Sequence, residues 1–164
     1  MDLPAEWAGQ TSEDRRATVL LRQEHETLLD LFRRQREPAL EPRARREALE
    51  RRIVALIALI DRIEREVLFP ALPSQYDALV RSFVADQDVV ARCLAAGRRN
   101  GANTARAHAH GQRLERLARE HLADEEALLF TAIEREQPEL NRALYDRLVA
   151  ERARLTGAQA PLAQ

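Results

Sequence analysis

The segment from His121 to Glu125 places two metal-ligand side chains one helical turn apart. Residues i and i+4 of a helix lie on the same face, so an imidazole and a carboxylate at this spacing can chelate one divalent ion. The same face carries Leu114, Leu117 and Leu128, which indicates that the pair points into an apolar core. The pattern therefore favours a buried metal site over a solvated surface pair.

Two further polar residues, His25 and Glu64, interrupt apolar stripes. Their neighbours at helical spacing are apolar, namely Leu21, Leu28 and Phe32 around His25, and Ile53, Ile57, Ile60 and Val67 around Glu64. Inward glutamates from two helices can bridge metal ions, and a buried carboxylate without a cation is costly. Two alternatives stay open. His25 can be a core histidine that is hydrogen bonded to the backbone, and Glu64 can pair with an arginine.

Additional candidates lie next to these four positions. Gln87 falls on the stripe of the predicted third helix with Asp88 beside it, and Asp61 comes three residues before Glu64 on nearly the same face. A neutral amide is a poor metal ligand, so Gln87 is interpreted first as a hydrogen-bonding core residue. If Asp61 or Asp88 turned inward, a site richer in carboxylates would favour manganese or iron over copper.

The remaining metal-binding residue types are expected to have structural roles. His108 and His110 precede His121 by about three helical turns, too far to share an ion with it, and are interpreted as surface or helix-end residues. Cys93 is interpreted as a small core residue. As the single cysteine of the chain, it leaves no internal disulfide and no thiolate metal cluster.

Five helices are predicted to position these residues. The chain has only 5 Gly and 4% aromatic residues, and the abundance of Ala, Leu, Arg and Glu favours helix. Proline, glycine and capping residues delimit the helices at Thr11–Gln35, at Pro42–Pro70, from Ser74 to just before Gly97, at Ala105–Glu136 and from Pro138 onward, with Gly97–Thr104 predicted as a loop. Leu140, Leu144 and Leu148 form the apolar side of the last one.

This helix order predicts an all-α fold. Four long amphipathic helices with short connections are typical of an antiparallel four-helix bundle, here with a short fifth C-terminal helix. A chain of 164 residues fits one domain, for which residues 1–156 are assigned, with residues 157–164 as a flexible C-terminal tail.

Composition argues against several partner classes. The chain carries 26 basic and 27 acidic residues, so its net charge of −1 offers no electrostatic attraction for nucleic acid or an anionic membrane. The longest apolar run, Ile53 to Ile60, is far shorter than the roughly 20 residues of a membrane span. Met1 to Pro4 does not begin a signal peptide. We therefore expect a cytoplasmic protein.

Three segments share their order and spacing with a known family. They are Gln23-Glu24-His25-Glu26 ahead of Leu31-Phe32, Glu64 to Leu72 ending in Val67-Leu68-Phe69-Pro70-Ala71-Leu72, and His121-Leu122-Ala123-Asp124-Glu125-Glu126 ahead of Leu129-Phe130. Together they resemble the hemerythrin-like, HHE cation-binding family over roughly the whole bundle. The resemblance implies two non-haem irons held by histidines and two bridging carboxylates. It implies roles in binding or sensing oxygen, nitric oxide or redox state, or in iron handling.

The resemblance also assigns roles to four residues. It implies that His25 is the first-helix ligand, that Glu64 is one bridging carboxylate, and that His121 and Glu125 are the fourth-helix ligand and the second bridge. The chain departs from the family pattern at Ile60, Gln87 and Ala91, which stand where the resemblance implies histidines.

These departures leave two expectations for function. The first is a partial di-iron site, filled by iron or another divalent metal, with a small diatomic ligand as partner. The alternative, favoured by the apolar Ile60, is a metal-free degenerate bundle that acts as a protein-interaction or regulatory module. An enzyme is not favoured, because no further acid, base or nucleophile constellation is present in the sequence.

Overall fold

The chain is almost entirely helical in the part that the structure describes. The structure is a computed structural model, and it describes residues 15–36, 43–97 and 104–157, where it contains no strand. The helices are α1 (Ala17–Arg36), α2 (Arg43–Ile63), α3 (Asp77–Gly97), α4 (Thr104–Asp124), α5 (Thr131–Glu136) and α6 (Pro138–Gly157). The all-α prediction is confirmed for these residues. None of the described helices is long and apolar enough to cross a membrane.

Four predicted features fall wholly or partly outside the described residues. They are the capping sequence Thr11–Asp14, the start of the second helix at Pro42, residues 98–103 of the predicted loop, and residues 158–164, which make up all of the predicted tail except Gly157. The two ends of that loop, Gly97 and Thr104, belong to α3 and α4, so the loop is shorter than predicted. Gly157 itself is the last residue of α6.

α2 and α4 both widen into a π-helical turn at their C-terminal ends. Glu64–Leu68 follows α2 and leads into a 3-10 turn at Phe69–Ala71, and Glu125–Phe130 joins α4 to α5. Backbone hydrogen bonds in a π turn close larger rings than in an α-helix, and such turns occur frequently at functional sites. Both turns begin at a glutamate that the sequence marks as a candidate ligand.

The π turn after α4 changes which side chains face the core. α-Helical spacing places Leu128 on the buried face, but its side chain is 54% exposed, whereas Leu129 and Phe130 are fully buried. The wider turn rotates the following residues relative to an α-helix, so the core-facing position moves along the chain. The prediction for Leu128 is wrong because it assumes an uninterrupted α-helix.

The C-terminal helix has nearly the predicted bounds, but it is not short. Pro138 begins α6 as expected, but α6 has 20 residues, the same length as α1, so the prediction of a short fifth helix is wrong. Its buried side continues beyond Leu148 to Leu155. No proline or glycine interrupts it before Gly157, and nothing in the sequence therefore ends it earlier.

Two apolar clusters fill the core, and polar residues lie between them. One cluster includes Leu21, Ile63, Phe83 and Leu129, and the other includes Leu28, Ile60, Val90 and Leu122. In sequence, His25, Gln87 and Glu125 each lie between a member of one cluster and a member of the other, and the buried Glu64 comes directly after Ile63, close to the change from one cluster to the other on its segment. The fold thus collects one polar side chain from each segment into a layer between two apolar regions.

Helix packing fixes α1, which carries His25. α1 packs against α2 and α3 packs against α4, while α6 contacts both α1 and α2. The Asn141 side chain accepts a hydrogen bond from Thr18 N at 3.0 Å and donates one to Thr18 Oγ1 at 3.0 Å. Arg152 of α6 forms an ion pair with the buried Glu24. These contacts join α6 to α1 along its length.

Candidate metal centre

Three ligand-type side chains from separate parts of the chain meet in the core. His25 lies in the middle of α1, and Glu64 and Glu125 are the first residues of the two π turns. Each offers one ligand atom, and these atoms all lie within 4.8 Å of one another. All three side chains are fully buried. This buried His/Glu/Glu group could hold a metal ion.

The distances within the group are suited to a single ion. His25 Nε2 is 3.5 Å from Glu64 Oε1 and 3.8 Å from Glu125 Oε2. Two ligand atoms that each lie about 2.1 Å from one ion at a tetrahedral angle are about 3.4 Å apart. The observed separations are close to this value, so small side-chain movements would place all three atoms on one ion. A set of imidazole and carboxylate ligands suits iron, manganese or zinc.

The second nitrogen of His25 is held by a carboxylate. His25 Nδ1 lies 2.8 Å from Glu126 Oε1, and the ring stacks on Phe130 with centroids 5.4 Å apart. When Nδ1–H donates to Glu126, the lone pair of Nε2 faces Glu64 and Glu125. Metal-bound histidines are commonly oriented in this way by a carboxylate. Burial alone would lower the pKa of His25, but the hydrogen bond to Glu126 and the nearby Glu64 carboxylate raise it overall.

Buried polar atoms without a hydrogen-bond partner are concentrated at this group. In the described ranges they are His25 Nε2, Glu64 Oε1, Gln87 Oε1, His121 Nδ1 and both carboxylate oxygens of Glu125, with Arg16 Nε as the one found elsewhere. Buried polar atoms are normally hydrogen bonded, because an unpaired one costs free energy. A cation is a partner that the carboxylate oxygens and His25 Nε2 can share, so the residues present fit a metal ion.

The two buried glutamates are not neutralised by arginine. Within the described residues, the charged partners within ion-pair distance are His25 for Glu64, and His25 and His121 for Glu125. The alternative that Glu64 pairs with an arginine is therefore not supported. Burial and the negative charge of Glu64 raise the pKa of Glu125 well above its usual range. Keeping both buried carboxylates charged is costly unless a positive charge, a bound cation or a protonated His25, balances them.

His121 lies on the other side of Glu125. Its Nε2 is 3.9 Å from Glu125 Oε2, the same oxygen that faces His25. The side chain is buried, and its ring meets Phe83 edge-on at 5.8 Å. Burial lowers the pKa of His121, so its imidazole is neutral at pH 7 and can act as a ligand. The structure therefore brings all four main candidate residues together, with His121 slightly outside the group of three.

Gln87 contacts the group through a hydrogen bond. Its Nε2 donates to Glu64 Oε2 at 2.6 Å, and the side chain is buried. This agrees with the interpretation of Gln87 as a hydrogen-bonding core residue. Because Gln87 occupies Oε2 of Glu64, it leaves Oε1 directed toward His25.

Asp61 does not join the group. Its Oδ1 pairs with Arg65 Nε at 2.7 Å, and Arg65 also binds Asp88 Oδ1 at 2.7 Å. Both aspartates are at least partly exposed. The condition for a site richer in carboxylates, that Asp61 or Asp88 turns inward, is not met, because Arg65, one turn after Asp61, pairs with both.

The positions where histidines are implied by the resemblance have different surroundings. Ile60 is buried in the second apolar cluster, whereas Ala91 is exposed. Both line a cleft of about 150 Å³ that opens beside Glu64 and His121. Neither residue supplies a ligand atom, so the region between α2 and α3 next to the group is open and mainly apolar.

The other histidines and the cysteine lie away from the group. His108 is exposed and contacts Gln112, and Cys93 is buried in the second apolar cluster, both as predicted. His110 is half-buried, with its Nε2 3.9 Å from Cys93 Sγ. This contact joins α3 to α4 at the end of the fold opposite α5, and its residues take no part in the buried group.

Sequence reasoning did not assign a role to Glu126. The residue follows the candidate ligand Glu125 directly, and in a regular α-helix it would point about 100° away from it. The π turn that begins at Glu125 brings Glu126 to His25 instead. The signal available in the sequence is the similarity of Glu64-Arg65-Glu66-Val67-Leu68-Phe69 to Glu125-Glu126-Ala127-Leu128-Leu129-Phe130, the two segments that both form π turns.

Comparisons with known proteins give no relative for this chain: no family model matches it, and no match was found among curated proteins or solved structures. The function of the chain is therefore inferred from the geometry and chemistry of the buried group.

Proposed function

We propose that this chain is a hemerythrin-like metal-binding protein with a partial non-haem di-iron site formed by His25, Glu64, His121 and Glu125. In this proposal α1 to α4 form an antiparallel four-helix bundle, and α6 covers one side of it. Support comes from the packing of α1 on α2 and of α3 on α4, and from apolar clusters shared by these helices.

The observation that carries the proposal is the cluster of unpaired ligand atoms in the core. Five buried residues with metal-binding or amide side chains lie in one layer, and each has at least one polar atom without a hydrogen-bond partner. A core selected only for stability would replace such a layer by apolar side chains, which is often neutral or stabilising. Binding of a cation accounts for the presence of two carboxylates and two imidazoles in this layer.

Each residue would have a distinct role. His25 would bind through Nε2 while Glu126 holds its ring. Glu125 would lie between two ion positions, because its Oε2 is 3.8 Å from His25 Nε2 and 3.9 Å from His121 Nε2. A bound iron would supply a reversible change of oxidation state and open positions for a small diatomic ligand such as oxygen or nitric oxide.

The two ion positions are unequal in this proposal. The position beside His25 has three ligand atoms within 4.8 Å of one another and a carboxylate behind the imidazole. Among the described residues, the position beside His121 gains no further strong ligand from Ile60 and Ala91, which are apolar, or from Gln87, which offers only an amide oxygen. We therefore expect the His25 position to fill first and to hold its ion more tightly.

A metal-free interaction or regulatory module is the second candidate. It is favoured by the 2.6 Å hydrogen bond from Gln87 Nε2 to Glu64, which stabilises that carboxylate without a metal. Ile60 also packs well in the second apolar cluster. In that case the layer would be a remnant, and function would depend on the protein surface.

Elemental analysis of three proteins tests the proposal. The parent chain, Glu125→Gln and the control Glu115→Gln are expressed in iron-supplemented medium and purified without a His tag. Glu115 is a suitable control because it is also a buried glutamate and lies in α4, which leads into the π turn that carries Glu125. Its carboxylate pairs with Arg119 at 2.8 Å, outside the buried group.

The expected result is one to two irons per chain in the parent and in Glu115→Gln, and none in Glu125→Gln. A well-folded parent without metal would contradict the metal-binding proposal and favour the interaction module. Equal metal in all three proteins would show that the ions bind elsewhere.

A further inference from the structure

α2 and α3 are separated by an open cleft. α2 and α3 approach each other less closely than α1 approaches α2 or α3 approaches α4. Small side chains lie on both sides of this cleft, with Ala58 on α2 and Ala91 on α3, and both are exposed. Because neither alanine reaches across, the cleft stays open between the two helices beside the buried group.

The walls of this cleft are mainly apolar. They include Ile57, Ile60, Val90, Leu94 and Leu122, and the volume is about 150 Å³. A cavity of about 150 Å³ with aliphatic and aromatic walls is large enough to hold benzene. The cleft is therefore larger than a diatomic molecule requires and suits an organic molecule of about seven non-hydrogen atoms.

The cleft also contains a hydrogen-bond acceptor without a partner. Gln87 is buried and lines the cleft, and its Nε2 already donates to Glu64. Its Oε1 has no hydrogen-bond partner within the described residues, and the same is true of Nδ1 of His121, another residue lining the cleft. A ligand that offers one donor beside Gln87 would satisfy a buried acceptor that otherwise costs free energy.

We propose that this cleft binds a small, mainly apolar organic molecule that carries one hydroxyl group, with the dimensions of phenol. The apolar body lies against the isoleucine, valine and leucine side chains of the cleft, and the hydroxyl donates to Gln87 Oε1. This site goes beyond the metal-binding proposal, because none of the walls that hold the apolar body is a metal ligand. Glu64 and His121 line the cleft as well, so the ligand would lie next to any bound ion.

Phenol and benzene are the probes for a test in chelator-treated protein, so that a failure of metal binding cannot affect the result. Binding is followed by the chemical-shift changes of backbone and Gln87 side-chain amides in NMR spectra during titration with millimolar probe. The cleft is filled with the double variant Ala58→Leu/Ala91→Leu. The matched control is Ala55→Leu/Ala95→Leu, which changes exposed alanines on the same two helices that do not line the cleft.

The expected result is saturable binding of one phenol per chain in the parent and in Ala55→Leu/Ala95→Leu, with Kd increased at least tenfold in Ala58→Leu/Ala91→Leu. Equal binding by both double variants, or no saturable binding by the parent, would overturn the proposal. Phenol should bind at least as tightly as benzene. A hydroxyl left without a partner costs about 1–3 kcal/mol, so phenol binding weakened roughly 5- to 160-fold relative to benzene would also overturn it.

Discussion

Replacement of Glu125 by glutamine should have two effects of opposite sign. The substitution removes a metal ligand, and it also removes a negative charge from a fully buried position where no arginine of the described residues pairs with it. We therefore expect Glu125→Gln to lose metal affinity and, once metal is removed, to be more stable than the parent at pH 8.

The size of the stability gain follows from the contacts of Glu64. Oε1 of Glu64 has no hydrogen-bond partner, and a side-chain amide at position 125 could donate to it. A hydrogen bond to a charged acceptor contributes about 1.5–3 kcal/mol. Burial and the charge of Glu64 raise the pKa of Glu125 well above the usual range, so as pH falls the carboxyl of the parent takes up a proton earlier than an ordinary glutamate and then provides a similar donor. The difference between the two proteins should then be small.

The sign of the pH dependence follows from the same raised pKa. Between the ordinary glutamate pKa of about 4.3 and the raised value in the folded chain, the folded state binds more protons than the unfolded state. The free energy of unfolding of the metal-free parent should therefore fall as pH rises through this window. Glu125→Gln lacks the titrating group, so its free energy of unfolding should fall less.

Urea denaturation followed by circular dichroism, with chelator at pH 5 and pH 8, measures these differences. With a urea dependence of about 1–3 kcal/mol/M, the expected gain at pH 8 moves the midpoint by roughly 1 M. The control Glu115→Gln breaks the pair with Arg119 and should lose up to about 1 kcal/mol at pH 8. If Glu125→Gln were less stable than the parent at pH 8, or had the same pH dependence, Glu125 would not be an uncompensated buried carboxylate.

Three further predictions concern neighbouring residues. Glu126→Gln removes the carboxylate that binds Nδ1 of His25 and should weaken metal binding about 10- to 100-fold in a competition titration. Unchanged metal affinity would show that Glu126 does not orient the His25 ring. Ile60→His/Gln87→His should raise iron per chain substantially in elemental analysis, and unchanged content in a folded variant would count against the site. Burial would raise the pKa of Glu134, but hydrogen bonds from Arg22 and Thr18 lower it overall. Glu134→Gln should therefore cost about 1 kcal/mol in urea denaturation at pH 7 and little near pH 2, and an equal loss at both would contradict this.

Apolar periodicity predicted much of the buried group. His25, Glu64, Gln87 and Glu125 stand on stripes of apolar residues in the sequence, and all four are buried in the structure. This prediction succeeds because a helix in contact with others on one side buries every residue of that face, whatever its chemistry. Pro138 likewise marks the start of α6, because proline favours the first turn of a helix.

Other features depend on contacts between residues that cannot be predicted from their spacing along the sequence. Asp61 lies nearly on the face of Glu64, but its orientation is decided by Arg65, which also binds Asp88 from another helix. Leu128 was displaced from the core by a π turn, and helix propensity does not distinguish a π turn from an α-helix. The same turn brings Glu126 to His25, which linear spacing places on another face.

Diffraction from crystals grown with iron, recorded on both sides of the iron absorption edge, tests the central claim most directly. The account predicts an anomalous peak within about 2.0–2.3 Å of His25 Nε2 and of a carboxylate oxygen from both Glu64 and Glu125, with any second, weaker peak beside His121. Absence of an anomalous peak in this layer, with the three side chains placed as described, would contradict the account.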